Sequence, residues 1–488
     1  MREHVCIFVL FTTTSLFVST TARGDDGAAA SGELSPALVE DIRGSFEMDA
    51  ETRVRHNAVT NNSINDLALN RGIVAGQDGH FSHKINFKGI TNQKASGRCW
   101  LFAGLNTMRP KVIREKKLPE FEFSVAYLQF WDKMEKANLF LETMIEMRET
   151  SYLDREWEHV LQWTMGDGGW WNFVVDLIEK YGVVPKDVMP ETQSSENTKV
   201  MNAVLDRKLR ADTVTIRKMH AAGASVNELR AFKEESLKEI YRFLVINLGE
   251  PPTEFEWRYA IKNKKDDEDE SPSAAKESKV EDLTPAVTYT PKEFYERFVG
   301  VPLSDYVCLY SDPLSEFHKH YRFTRSKNVF GKPDMNFVNL PIGDLKTYAM
   351  QAIVANEPVW FAANVGRDRS DKLGIMADRL YDYDPLFGLD TQVSKVDRLK
   401  LRAGASNHAM ALMGVDIRDG KPVKWLVENS WGKERGDQGV YTLHNDWFDE
   451  HVYNIIIHKR HVPADVLNVF DEEATSLPPW YPSVPSVR

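Results

Sequence analysis

Apolar residues recur at helical spacing through the first half of the chain. Tyr127, Leu128, Trp131, Met134, Leu141 and Ile145 fall on one face of a helix that Ser124 can cap, after the short run Phe121-Glu122-Phe123. From about Glu191 to Pro252 the pattern is again helical. Ser225-Val226-Asn227-Glu228 forms a capping box, and Leu229, Phe232, Leu237, Ile240, Tyr241, Leu244 and Leu248 make the apolar face. Gly249 with Pro251-Pro252 stops that helix. A shorter apolar run, Leu101-Phe102-Ala103-Gly104-Leu105, starts a helix that Pro110 is expected to end. In the last third the pattern changes to short β-prone runs between turns: Val359-Trp360-Phe361-Ala362, Ala409 to Val415, Trp425-Leu426-Val427, Val440 to Leu443 and Val452 to Ile457. Cys308 lies in a strand-like run, Tyr306 to Tyr310, and reads as a core residue. A helical part followed by a strand-rich part predicts an α+β fold.

The chain has 488 residues, of which 42% are hydrophobic, enough for a substantial core and, by length alone, about three domains. The first 22 residues read as a secretory signal peptide: a short charged start, the apolar run Val5 to Phe11, three threonines, Ser15-Leu16-Phe17-Val18, and small residues at Thr20-Thr21-Ala22. A membrane anchor is the rival reading, weakened by the short, threonine-interrupted apolar core. Arg23 to Leu34 has a disordered composition, and Lys262 to Asp282 reads as a solvated, flexible acidic loop. Asn61-Asn62-Ser63 is a glycosylation sequon. Net charge is −11, which argues against general binding to nucleic acid or to an anionic membrane surface. The three cysteines, Cys6, Cys99 and Cys308, do not form a disulfide framework, since Cys6 lies in the leader.

Cys99 changes the picture. It follows Gln93-Lys94-Ala95-Ser96-Gly97-Arg98 and sits at the start of a helix, where the helix dipole favours thiolate. The Gln93 amide and the Cys99 backbone N–H are candidate donors to an oxyanion beside the sulfur. Alone, such a cysteine reads as an inert core residue. Two later stretches shift that balance. Ser406-Asn407-His408 leads into an apolar strand, and Glu428-Asn429-Ser430-Trp431-Gly432 follows. Cysteine, then histidine, then asparagine before Ser-Trp-Gly is the chain order of a papain-type thiol protease. In that chemistry His408 takes the thiol proton, Asn429 orients the imidazole, and Trp431 shields their hydrogen bond. The bland alternatives are a satisfied core histidine, a turn asparagine and a core tryptophan. In Asp167-Gly168-Gly169-Trp170-Trp171 the glycine pair would let a substrate backbone approach, or it is an ordinary turn.

Gly97-Arg98-Cys99-Trp100-Leu101-Phe102-Ala103, Phe121 to Ser124, Asp167-Gly168-Gly169, Lys180-Tyr181-Gly182, Val427 to Gly432, His461-Val462-Pro463 and Leu477-Pro478-Pro479-Trp480 together resemble the bleomycin hydrolase branch of the papain-like peptidases. The resemblance runs from roughly Ile64 to the C-terminus. It implies a two-lobed papain-like fold, a helical lobe and a β-barrel-like lobe, with helical insertions. Those insertions account for the distance from Cys99 to His408, far beyond the roughly 130–150 residues of simpler relatives. The expected division is 1–22 signal peptide, 23–63 a partly disordered N-terminal segment and 64–190 the lobe with Cys99. Residues 191–340 are the helical insertion with its acidic loop at 262–282, 341–460 the β-rich lobe with His408 and Asn429, and 461–488 a tail entering the cleft.

By the same resemblance the activity is that of a cysteine aminopeptidase acting on peptide substrates, assembled as a homohexamer, without metal or organic cofactor. The tail's terminal carboxylate would then pair with the substrate's free amine. Gly168, Gly169, Trp431 and Arg488 are the substrate-binding candidates beside the catalytic set Cys99, His408, Asn429 and Gln93. Two departures stand out. Family members are mostly cytosolic, whereas this leader points to the secretory pathway. Family tails commonly end in small apolar residues after Trp-Asp-Pro, whereas this one reads Trp480-Tyr481-Pro482-Ser483-Val484-Pro485-Ser486-Val487-Arg488, so that self-trimming of Arg488 is expected. An endopeptidase with a displaced tail and a non-catalytic barrel binding peptide or nucleic acid are the alternatives.

Overall fold

The computed structural model describes residues 32–261 and 283–484. The leader, the acidic loop 262–282 and Arg488 lie outside the described residues, as does most of Arg23 to Leu34. The chain divides into two units, Met1–Leu67 and Ala68–Arg488. In the first, Ser35 caps the helix Pro36–Gly44 and Asp49 caps Ala50–Asn61, and neither helix buries a residue.

In the second unit, twelve strands of the described residues form one mixed sheet. Its centre is the long strand His408–Arg418, antiparallel to Val359–Ala363 on one side and to Lys421–Glu428 on the other. Beyond these lie Val440–His444 and, on the opposite side, Val452–His458 with Tyr306–Tyr310. Burial explains the composition: Val359–Ala363 is buried at every position, and His408–Arg418 at all but its last two. Such strands read as near-continuous apolar runs.

The helices carry the remaining core. Ser124 Oγ accepts from the Tyr127 N–H and starts the buried helix Val125–Glu146. The helices Lys199–Ala221 and Val226–Leu248 follow, the second opened by the Ser225–Glu228 capping box and closed at Gly249. The span expected to be a helical insertion is therefore divided. Its two long helices end at Leu248, with only short helical turns between Pro291 and Asp305, whereas Tyr306–Tyr310, Lys319–Phe323 and Asn336–Asn339 are strands of the main sheet. Cys308, Tyr310, Tyr321, Phe323 and Phe337 pack into the same core as the helices, whereas Leu309 and Val338 face a second core cluster.

The helix Cys99–Lys116 corrects a second expectation, because Pro110 lies inside it. A proline costs a helix interior about 3 kcal/mol. Val112 and Ile113 beyond it are buried, and burying such side chains returns roughly 1.5–3 kcal/mol each. The helix instead ends at Lys117, whose φ of 53° is left-handed.

This helix is tied to the sheet by an ion pair. Arg109 Nη2 donates to Glu428 Oε1 at 2.6 Å, with side-chain exposures of 1% and 0%. Arg109 also donates to Asn106 Oδ1 and the Gly89 carbonyl, and Asn106 in turn donates to Thr91 Oγ1. Removing one member of a buried pair leaves an uncompensated charge. Arg109→Ala is therefore expected to lower stability by about 3–5 kcal/mol, and the joint change to Arg109→Met with Glu428→Leu by much less. Denaturant midpoints followed by circular dichroism would test this; equal losses would mean the pair is not what couples helix to strand.

Candidate active site

Cys99 is the first residue of its helix, and Arg98 makes no side-chain cap. Arg98 is instead buried and held from the far side. Its guanidinium donates to Glu191 at 2.8 Å, to Gln129 Oε1 at 3.0 Å and to Ser96 Oγ at 2.9 Å. The start of the helix is thus fixed without a cap occupying its first N–H groups, which a helix leaves without internal partners.

His408 opens the central sheet strand, in register with Ala363. Asn407 locks that start: its N–H donates to the Ala363 carbonyl and its Oδ1 accepts from the Val365 N–H. Asn429 follows the last residue of the neighbouring strand. His408 Nε2 lies 2.8 Å from Asn429 Oδ1, and the Ser430 N–H donates to the same oxygen at 2.8 Å. A backbone N–H only donates, so that atom is the amide oxygen, and Nε2 must carry the proton. The neutral imidazole then has Nδ1 free to accept one. Trp431 stacks on the His408 ring at 4.6 Å, the Arg369 guanidinium lies 4.5 Å from the Trp431 ring centre, and Asp371 Oδ1 holds Arg369 Nε at 2.7 Å.

Cys99, His408, Gln93, Gly168 and Gly169 line one cleft of about 590 Å³. Gln93 Oε1 accepts from Ser430 Oγ at 2.8 Å, and Nε2 donates to the Ser96 carbonyl at 2.6 Å, leaving its second amide hydrogen. Gly169 is a close approach: a Cβ there would stand 2.5 Å from the Trp100 ring. Trp431, named as a substrate-binding candidate, is absent from the described lining of the cleft; its place against His408 is that of a cover.

Burial acts on both reacting groups. It pushes the Cys99 thiol up, while the backbone N–H groups of Ala409, Trp100 and Cys99 pull the other way, the last two being the helix start that the sequence pointed to. Burial also pushes His408 down to about 4, against the Asn429 hydrogen bond.

Several residues here were not singled out from the sequence. Asp167, read only as part of a glycine turn, is a hub. Its carboxylate accepts from Lys133, Thr198, Asn202 and the Gly97 N–H, and its carbonyl accepts from Trp100 Nε1. Despite burial, Lys133 and these donors hold it well below the usual carboxylate range. Lys136 donates to the Gly166 and Gly168 carbonyls and lines the cleft. Its only sequence signal was a charge on a helix otherwise apolar on one face. From the tail, Pro479 and Val484 also line the cleft.

Residues 33–483 match the model of the peptidase C1-like family. The chain belongs to that family. It is 37% identical to aminopeptidase C of Streptococcus thermophilus, over 92% of this chain and 98% of that protein. It is 33% identical to bleomycin hydrolase of Rattus norvegicus, over 94% and 99%. The crystal structure of PepW from Lactobacillus rhamnosis HN001 is similar with a TM-score of 0.86 and 36% identity, covering 92% of this chain and 98% of that one.

The stacked cover yields a prediction. In Cys99→Ala protein, the His408 imidazole is expected to titrate near 4; adding Trp431→Ala admits water and should move it up toward the ordinary 6.5. Ring-proton NMR shifts against pH would read this, and an unmoved midpoint would show that Trp431 does not supply the burial.

Proposed function

We propose that this protein is a cysteine-type aminopeptidase of the bleomycin hydrolase type, hydrolysing peptide bonds next to free N-termini. The observation that carries the reading is that Pro479 and Val484 of the tail line the same cleft as Cys99 and His408. Family membership and the names of the relatives support the peptidase activity.

In the proposed mechanism His408 Nδ1 takes the thiol proton as Cys99 Sγ adds to the scissile carbonyl. The oxyanion is met by the Cys99 N–H and the remaining Gln93 amide hydrogen. His408 then gives the proton to the leaving amine, and water, deprotonated by the same imidazole, releases the acyl group from sulfur. Asn429 holds the ring through Nε2, and Trp431 keeps water from that bond. Gly168 and Gly169 border the substrate backbone.

The tail is well placed to limit the cleft. Thr475–Leu477 pairs with Lys319–Phe323, Tyr481 shares a hydrogen bond with Ser315, and Ser483 is fully buried with its Oγ donating to Asp312. A blocked non-primed side would leave room only for a substrate's N-terminal residue. Arg488, which would carry the terminal carboxylate, lies outside the described residues.

A papain-like division into a helical and a strand-rich lobe, with the cleft between the Cys99 helix and the His408 strand, is part of this reading. So are a homohexamer and entry into the secretory pathway through residues 1–22. No described helix is long and apolar enough to cross a membrane.

A fluorogenic peptide amide with a free N-terminus is expected to be cleaved and its N-acetylated twin spared, with Cys99→Ala as the blank. A chain ending at Leu477 should cleave both. Cleavage of both by the full chain would favour an endopeptidase with a displaced tail. Cleavage of neither, by folded protein, would leave a peptide-binding barrel.

A further inference from the structure

Away from the cleft, Asp368, Asp378 and His451 converge: one ligand atom from each lies within 4.8 Å of the others. We propose that these three side chains form a binding site for a divalent transition-metal ion of the zinc type, one that fixes the hairpin covering the catalytic histidine.

The backbone builds this convergence. Arg369–Ser370 pairs antiparallel with Ile375–Met376, and the Ala377 N–H donates to the Asp368 carbonyl, so Asp368 and Asp378 end the same hairpin side by side. His451 closes the helix Asn445–His451. The Asn364 N–H donates to the His451 carbonyl, and Trp447 Nε1 donates to the Arg367 carbonyl, bringing that helix end to the hairpin.

His451 is the decisive residue. It is 2% exposed, and neither ring nitrogen has a hydrogen-bond partner. A buried imidazole normally satisfies at least one nitrogen. Here the nearby polar atoms are acceptors from two carboxylates, and a cation would serve all three groups at once.

Four cationic side chains stand near this place, and each is engaged elsewhere or reaches solvent. Arg398 is bound to Glu450 at 2.7 Å, and Lys395 donates to the Asp449 and Val452 carbonyls. Arg367 and Arg379 are exposed, the latter 3.7 Å from Asp378. Asp446 and Glu450 add negative charge near Asp378. The Leu380 and Tyr381 N–H groups face Asp368 and orient its carboxylate.

The donor set selects the ion. One imidazole nitrogen with two carboxylates suits zinc, whereas calcium and magnesium favour all-oxygen sites with more ligands. Zinc bonds of about 2.0–2.2 Å would draw the hairpin onto the helix end. The same hairpin carries Arg369, which lies on Trp431, so the ion would steady the cover over His408.

Chelator-stripped, full-length Cys99→Ala protein is the material to use, since the thiol itself would bind zinc. Titration with zinc chloride by calorimetry, melting curves and anomalous scattering at the zinc edge would be measured. One ion per chain at Asp368, Asp378 and His451, with a raised melting temperature, is expected. Asp368→Asn and Asp378→Asn, close in shape, should each weaken binding at least about tenfold and remove the melting gain, while their zinc-free circular dichroism matches the parent. Absence of binding in the parent, or binding undiminished in both variants, would overturn the proposal.

Discussion

The buried pair of Arg109 and Glu428 is the contact on which the rest of the site depends. Cys99 is brought by a helix near one end of the chain, and His408 and Asn429 by strands near the other. Glu428 is the residue immediately before Asn429, and Arg109 lies on the Cys99 helix. Their hydrogen bond therefore sets helix against strand next to the reacting groups. Trp360 Nε1 donating to the Trp100 carbonyl, and Ser430 Oγ donating to Gln93, repeat that link on either side. A buried ion pair contributes little net stability over apolar residues of the same shape. Its value here is register: a slip in either element would leave an ion without its partner in the core.

The same exclusion of water acts on the reacting groups: burial pushes the Cys99 thiol up and the His408 imidazole down. Trp431, Arg369 and Asp371 lie behind the imidazole in successive layers. Arg369 pulls the His408 value down and Asp371 raises it, so these two oppose each other at the ring and burial is the larger influence on its charge.

Local signals in the sequence were legible where local physics decides. The Ser124 cap, the Ser225–Glu228 capping box and the apolar strands from Val359 onward all appear as read. The order Cys99, His408, Asn429 was legible because each residue carries its own flanking pattern. Pro110 was misleading because burial beyond it outweighs the lost backbone bond. Tyr306–Tyr310 read as strand-like, but Lys319–Phe323 and Asn336–Asn339 were hidden inside an assumed insertion, because a short run does not reveal which sheet it joins. Asp167 was legible only as a turn; its partners Lys133, Thr198 and Asn202 come from two other helices or their edges, and no spacing rule connects them. Asp368, Asp378 and His451 are scattered in the same way.

Chemistry and specificity are held by different kinds of contact. Cys99, His408 and Asn429 are fixed by buried hydrogen bonds and by the helix–strand ion pair, all formed within the core of the unit. The tail is fixed by a three-residue strand, the Ser483–Asp312 hydrogen bond and the Trp480 ring against Arg155. Of these, the strand is largely exposed and Trp480 half-buried, whereas Ser483 and Asp312 are buried. Under the proposed reading, a different C-terminal sequence, such as the proline-containing one here, would alter which substrates fit while Cys99, His408 and Asn429 stay where the core puts them.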